Sequence, residues 1–212
     1  MERGFRGLVL FGGLLFTVLT IAFLLRLDWA IALWPFAMLE TRLGFIFLAS
    51  IAGAIAVPTL WIAFSNELRA VESGGIDLVV TFVGWAGFLV MHSRIDGRPE
   101  VTIGAAVSAG AAIFLLGISV TARRFAWRDT RPMPAPVRWS FFAFAVVLLL
   151  ADGALVLAVP NVFPWPLAPE SSVMYGWIFL GAMVYFSVLY RPARTLIEDV
   201  RDVLADGGVT HN

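Results

Sequence analysis

One carboxylate stands well inside an apolar run of this 212-residue chain: Asp152, in Leu150-Ala151-Asp152-Gly153. At 1.5 Å of rise per residue its run places it roughly 10 Å below the membrane boundary. Holding a carboxylate at such a depth costs roughly 2.5–3.5 kcal/mol on insertion scales, so intramembrane acids turn toward a bundle interior or a wet cavity. Two uses fit Asp152: a proton- or ligand-responsive carboxyl, or an acid that hydrogen-bonds a hydroxyl such as that of Thr20 and pins two helices together. Arg26, Glu40, Arg42 and Glu170 fall near the same boundary, either as interfacial anchors with local ion pairs or as a rim that selects a charged solute or partner. His92 closes a third apolar run and His211 lies in the tail, and one interfacial imidazole cannot supply the facing pair that a bis-histidine haem requires. There is no Cys, which removes thiolate nucleophiles, disulfides, Cys-bound zinc and iron–sulfur clusters together. Gly12-Gly13 and Gly74-Gly75 lack the strand and helix context of a phosphate loop. No catalytic residue, metal or cofactor is therefore expected, and an enzyme acting on lipid would need a base or metal partner for Asp152 that the spans do not offer. Nucleic acid is not an expected partner.

The elements that must position these residues are membrane spans. Hydrophobic residues make up 60% of the chain, against roughly 45–50% in soluble domains, and the mean hydropathy is +0.88. With about 20 apolar residues needed to cross roughly 30 Å of hydrocarbon, there is room for six helices and little else. The expected fold is all-α and polytopic: hairpins at 7–64, 76–120 and 140–190 form a transmembrane domain over 1–190, followed by a cytoplasmic tail at 191–212. Arg3 and Arg6 precede the first run as in a signal peptide, but that run is long and lacks a small-residue cleavage site, so it reads as a retained span. Pro58 inside the second run predicts a kink or local unwinding. The third run, Ile76 to Met91 after a charged turn, is short enough to require a thinned bilayer or indrawn ends. In the fourth, Gly104, Ser108 and Ala112 share one face and predict a close helix contact. In the tail, Leu196, Ile197, Val200, Val203 and Leu204 recur at helical spacing and Thr195 and Glu198 have capping-box spacing, which predicts an amphipathic helix on the membrane surface or on a partner.

The first and last hairpins share a motif. Trp34-Pro35-Phe36-Ala37 returns as Trp165-Pro166-Leu167-Ala168, and Gly44-Phe45-Ile46-Phe47-Leu48 as Gly176-Trp177-Ile178-Phe179-Leu180, one residue out of register. These Trp-Pro links are expected in the headgroup region, where indole rings are favoured. All 15 basic residues are Arg, a usage that fits a GC-rich genome, and they divide eleven against four between the two sides. Basic residues bias loops inward, so both termini are expected in the cytoplasm of a bacterial plasma membrane and both Trp-Pro links outside. The duplicated hairpins then have the same orientation, a parallel repeat. Three hairpins with Trp-Pro turns resemble small six-span bacterial membrane proteins and, more distantly, the tandem-hairpin acid-resistance membrane protein family. That resemblance implies a topology and transfers no functional residue.

The function expected from these features is non-catalytic: a scaffold, assembly or accessory subunit whose partners are the bilayer and another membrane protein or a second copy. The alternative is a small-solute or proton-coupled transporter built on Asp152. A conducting route should gather Thr17, Thr20, Ser50, Thr59 and Ser108 around one cavity with Asp152, whereas a scaffold should scatter them into helix contacts.

Overall fold

The structure, a computed structural model, describes residues 2–37, 40–128 and 133–190. Among them there is no strand. The helices are α1 (Glu2–Leu25), a short α2 (Asp28–Ile31), α3 (Arg42–Ser65), α4 (Val71–Asp96), α5 (Pro99–Ala122), α6 (Ala135–Val156) and α7 (Pro169–Tyr190). All but α2 are long and apolar enough to cross a membrane, which makes this a multi-pass membrane protein. The amphipathic helix expected in the tail falls outside the described residues.

Helix ends are set locally. The Thr41 hydroxyl accepts the Gly44 N–H at 3.1 Å and starts α3. Helices α1, α3 and α6 stop at residues in the left-handed region, Arg26 (φ 56°), Asn66 (φ 59°) and Ala158 (φ 51°). In each case the next N–H reaches back five residues to close the end: Leu27 to Ala22 O at 2.9 Å, Glu67 to Ile62 O at 3.2 Å, Val159 to Ala154 O at 2.9 Å. Because the spans alternate in direction, residues 26–37, 40–41, 97–98 and 157–168 gather at one end, hereafter the link end. The first residues of α1 and the described residues that follow α3 and α5 gather at the other, the terminal end.

Two expectations about the spans change. The third is not short: α4 runs for 26 residues, so no thinning of the bilayer is called for. Its first turn is polar yet helical, because Glu72 pairs with Arg69 at 2.9 Å and with Arg123 at 2.7 Å, while the Ser73 hydroxyl donates to Ala70 O. Hydropathy marks where a helix meets lipid, not where it begins. Nor does Pro58 unwind α3, which is helical on both sides of it. The proline leaves the Ala54 carbonyl without its usual donor, a cost the rest of the helix tolerates within a bundle.

The spans pair as antiparallel hairpins, α1 with α3, α4 with α5 and α6 with α7, and α4 packs on α7 to join the second hairpin to the third. That last seam is held by small residues and by hydrogen bonds to main-chain carbonyls. Trp85 Nε1 donates to Met174 O at 2.9 Å and, one turn down α4, the Thr81 hydroxyl donates to Trp177 O at 3.3 Å. Polar interhelical contacts in membranes average only about 0.6 kcal/mol, so close packing carries the larger part. Gly84 sits under the Trp177 ring, and Gly181 lies against Thr81 and the Asp77 side chain and carbonyl.

A Cβ at residue 181 would stand 2.6 Å from the Asp77 carbonyl oxygen, a contact that no side-chain rotation relieves. Gly181→Ala should therefore cost about 1–3 kcal/mol and lower the thermal midpoint in detergent. Gly87→Ala on α4, where nothing lies within 4 Å, should leave the midpoint unchanged or raise it slightly.

Candidate functional site

The site that the fold builds most deliberately is an aromatic junction at the link end. The first link folds back so that Trp34 is 4% exposed and Phe36 1% exposed. The Trp34 ring lies 5.5 Å from Trp85, nearly edge-on at 83°, and 5.4 Å from Tyr175. Phe36 meets Phe88 at 6.1 Å and His92 at 5.2 Å. On the far side Phe47 touches Tyr175 at 5.2 Å, Phe163 at 5.0 Å and Trp165 at 6.0 Å, and stacks on Phe179 at 6.0 Å. Rings from all three hairpins and both Trp-Pro links thus meet in one cluster, in the tilted and edge-on geometries that the ring quadrupole favours. Helix α3 meets α7 here through side chains, with little direct approach of the two backbones.

Trp34 of the first link turns inward as a core residue, in a socket of rings from the other hairpins. Trp29, half exposed on α2, is the indole of that link that faces outward. Pro35 leans on α5 near Gly104. Trp165 is half-buried, with its Nε1 shielded and unpartnered, and Pro166 is exposed. His92, at the end of the third apolar run, is half-buried against Phe36 and Phe88.

The four rim candidates make different local contacts. Arg26 places its guanidinium 5.7 Å above the Phe45 ring, a cation–π contact. Arg42 is exposed at the first turn of α3, and Glu170 is half-buried in the first turn of α7, where an acid suits the helix dipole. Glu40 turns inward: its Oε1 accepts the Thr41 N–H at 3.2 Å, its carboxylate lies over Gly44, and the Tyr175 hydroxyl stands beside it. That hydroxyl also donates to Gly44 O at 3.4 Å.

Asp152 is 8% exposed in the seam between α6 and α7, with its Oδ1 directed at Gly176 and without a hydrogen-bond partner. The structure does not bring Thr20 to it. The Thr20 hydroxyl donates to Phe16 O at 2.8 Å, and its side chain packs beside Gly53 in the seam between α1 and α3. Three other candidate hydroxyls behave alike: Thr17 donates to Gly13 O, Thr59 to Ile55 O and Ser50 to Phe47 O, all within their own helices. Ser108 is buried on the α5 face that carries Ala105 and Ala112. These groups are scattered among helix contacts and do not converge on Asp152.

Sequence reasoning missed a second intramembrane acid, Asp77, half-buried against Gly181 with Tyr185 within electrostatic reach. The signal was present in Asp77, Thr81, Gly84 and Trp85 at helical spacing, but beginning the third span at Ile76, after a charged turn, placed Asp77 at a span end. Among the described residues no group of three His, Asp or Glu side chains could hold a metal. Set against family models, curated proteins and solved structures, the chain matches none of them.

Because Asp152 makes no hydrogen bond among the described residues, an apolar replacement of similar size removes a desolvated, unpartnered oxygen. Asp152→Leu should hold or raise the thermal midpoint, by up to about 1–3 kcal/mol of relieved desolvation. A fall of that size, rescued in Asp152→Asn, would instead identify a polar pin between helices.

Proposed function

We propose that this protein is a non-catalytic, six-span scaffold or accessory subunit of a membrane complex, in a bacterial plasma membrane with both termini in the cytoplasm. One observation carries the reading: the interior where three hairpins meet is filled by interlocked rings, while Thr17, Thr20, Ser50 and Thr59 satisfy their own helices. A core so built favours a fixed shape over a wet path. Descent of the outer hairpins from one duplicated unit belongs to the same reading, as does kinship with the tandem-hairpin acid-resistance membrane proteins. One detail is consistent with the duplication: Phe47 and Phe179, paired by the sequence match, stack on each other.

A second reading, proton-coupled or small-solute transport, is favoured by the shielded and unpartnered Oδ1 of Asp152. Extraction into polymer-bounded native discs separates the two. A scaffold should come out with one protein partner, or a second copy, at fixed stoichiometry, and Asp152→Asn should keep it. Recovery of a lone monomer that drives solute uptake in liposomes, with uptake lost in Asp152→Asn, would install transport instead.

The orientation has its own check. Arg128→Cys should react with an impermeant maleimide only from the cytoplasmic side and Glu170→Cys only from the outside. The opposite pattern would invert the protein.

A further inference from the structure

At the terminal end, between the start of α1 and the turn after α3, lies a cleft of about 220 Å³ lined by Glu2, Arg3, Arg6 and Asn66. Its two guanidiniums are differently held. Arg6 Nε donates to Ala63 O at 2.8 Å, which fixes the plane of the group and leaves its remaining N–H donors directed away from that bond. Arg3 has no ion pair among the described residues and is exposed one turn earlier. Gly4 and Gly7 flank the pair with nothing within 4 Å of where a side chain would start, so approach from the membrane surface is open.

The acidic group in the cleft is already engaged. Glu2 Oε1 accepts from Asn66 Nδ2 at 2.6 Å and from Arg128 at 3.2 Å, and Arg128 donates its main-chain N–H to Glu67 at 2.9 Å. Arg69, Glu72 and Arg123 pair among themselves beyond it. The bond to Glu2 fixes the orientation of the Asn66 amide, and its Oδ1 is left shielded and without a partner, an acceptor facing no donor. Two forked donors beside an acid that is already engaged, at the end of membrane spans, match the phosphate of an anionic lipid.

We propose that this cleft binds the phosphate of an anionic phospholipid, with Arg3 and Arg6 on the phosphate. The chemistry is shared with free phosphate, so the test carries both. Purified protein in mild detergent is titrated with short-chain phosphatidylglycerol, short-chain phosphatidylcholine and inorganic phosphate, with thermal midpoint and native mass spectrometry as readouts. Phosphatidylglycerol should bind and raise the midpoint in preference to the other two, and Arg3→Gln and Arg6→Gln should each weaken it about fivefold. Arg94→Gln at the link end should change nothing. Arg6→Gln could loosen the Ala63 contact and the fold with it, so Arg3→Gln, which breaks no internal bond, decides the matter. Equal binding of phosphatidylglycerol and phosphatidylcholine, or unchanged binding in Arg3→Gln, would overturn the site. Equal protection by inorganic phosphate would overturn the lipid as its ligand.

Discussion

Burial of Trp34 is the contact on which the arrangement of the hairpins depends. The α1/α3 hairpin keeps its backbone largely apart from the other two, so what fixes its position is side-chain volume. In lipid there is no hydrophobic gain in moving an apolar ring from acyl chains to protein, and packing must supply the specificity. A large rigid indole that contacts Trp85 on α4 and Tyr175 on α7 at once does this at one point in the chain. At the terminal end Arg128 reaches Glu2, and the Phe5 and Phe125 rings meet at 5.0 Å. The first hairpin is fastened at both ends and lies loosely between.

The two ways of joining helices have different tolerances. The seam of α4 and α7 relies on missing side chains, at Gly84 and Gly181, and admits no added atom. The junction of α3 and α7 relies on filled volume, and rings can tilt within it. The two matched glycines of the duplicated motif illustrate the divergence. Gly44 makes room for the folded-back Glu40 carboxylate, while Gly176 lets α6 come close, with Val156 Cγ2 2.8 Å from where its Cβ would stand. The same residue at matched positions answers a different neighbour in each copy.

Much of the fold was legible because lipid enforces a simple rule: apolar runs of sufficient length become spans, and their number, order and pairing follow. The ends were less legible, since Glu72 and Ser73 look like a turn by polarity and are helical through Arg69, Arg123 and Ala70, contacts that no local pattern encodes. The candidate site was legible in its members and not in their roles. Asp152 was visible as a buried acid, but its neighbour, Gly176, is remote in sequence and chemically silent. Trp34 was visible as an indole near an interface, and only the other hairpins could show that it turns inward. Tyr175 gave no signal at all, being one aromatic among many until Glu40 and Trp34 are placed around it.

The junction also sets an order of assembly. Trp34 emerges early in synthesis, whereas Tyr175 and Phe179, which complete its surroundings, are made last; at roughly 5–20 residues per second the interval is roughly 7–30 s. During that time the first hairpin resides in the bilayer with its inward-facing indole, Phe36 and Phe47 lacking their final neighbours. A nascent chain in that state exposes to the insertion machinery, and to any chaperone within the membrane, an aromatic face that the mature protein hides. Completion of α7 withdraws that face together with the side of α4 that α7 covers, so the finished molecule hides surfaces that its unfinished forms display.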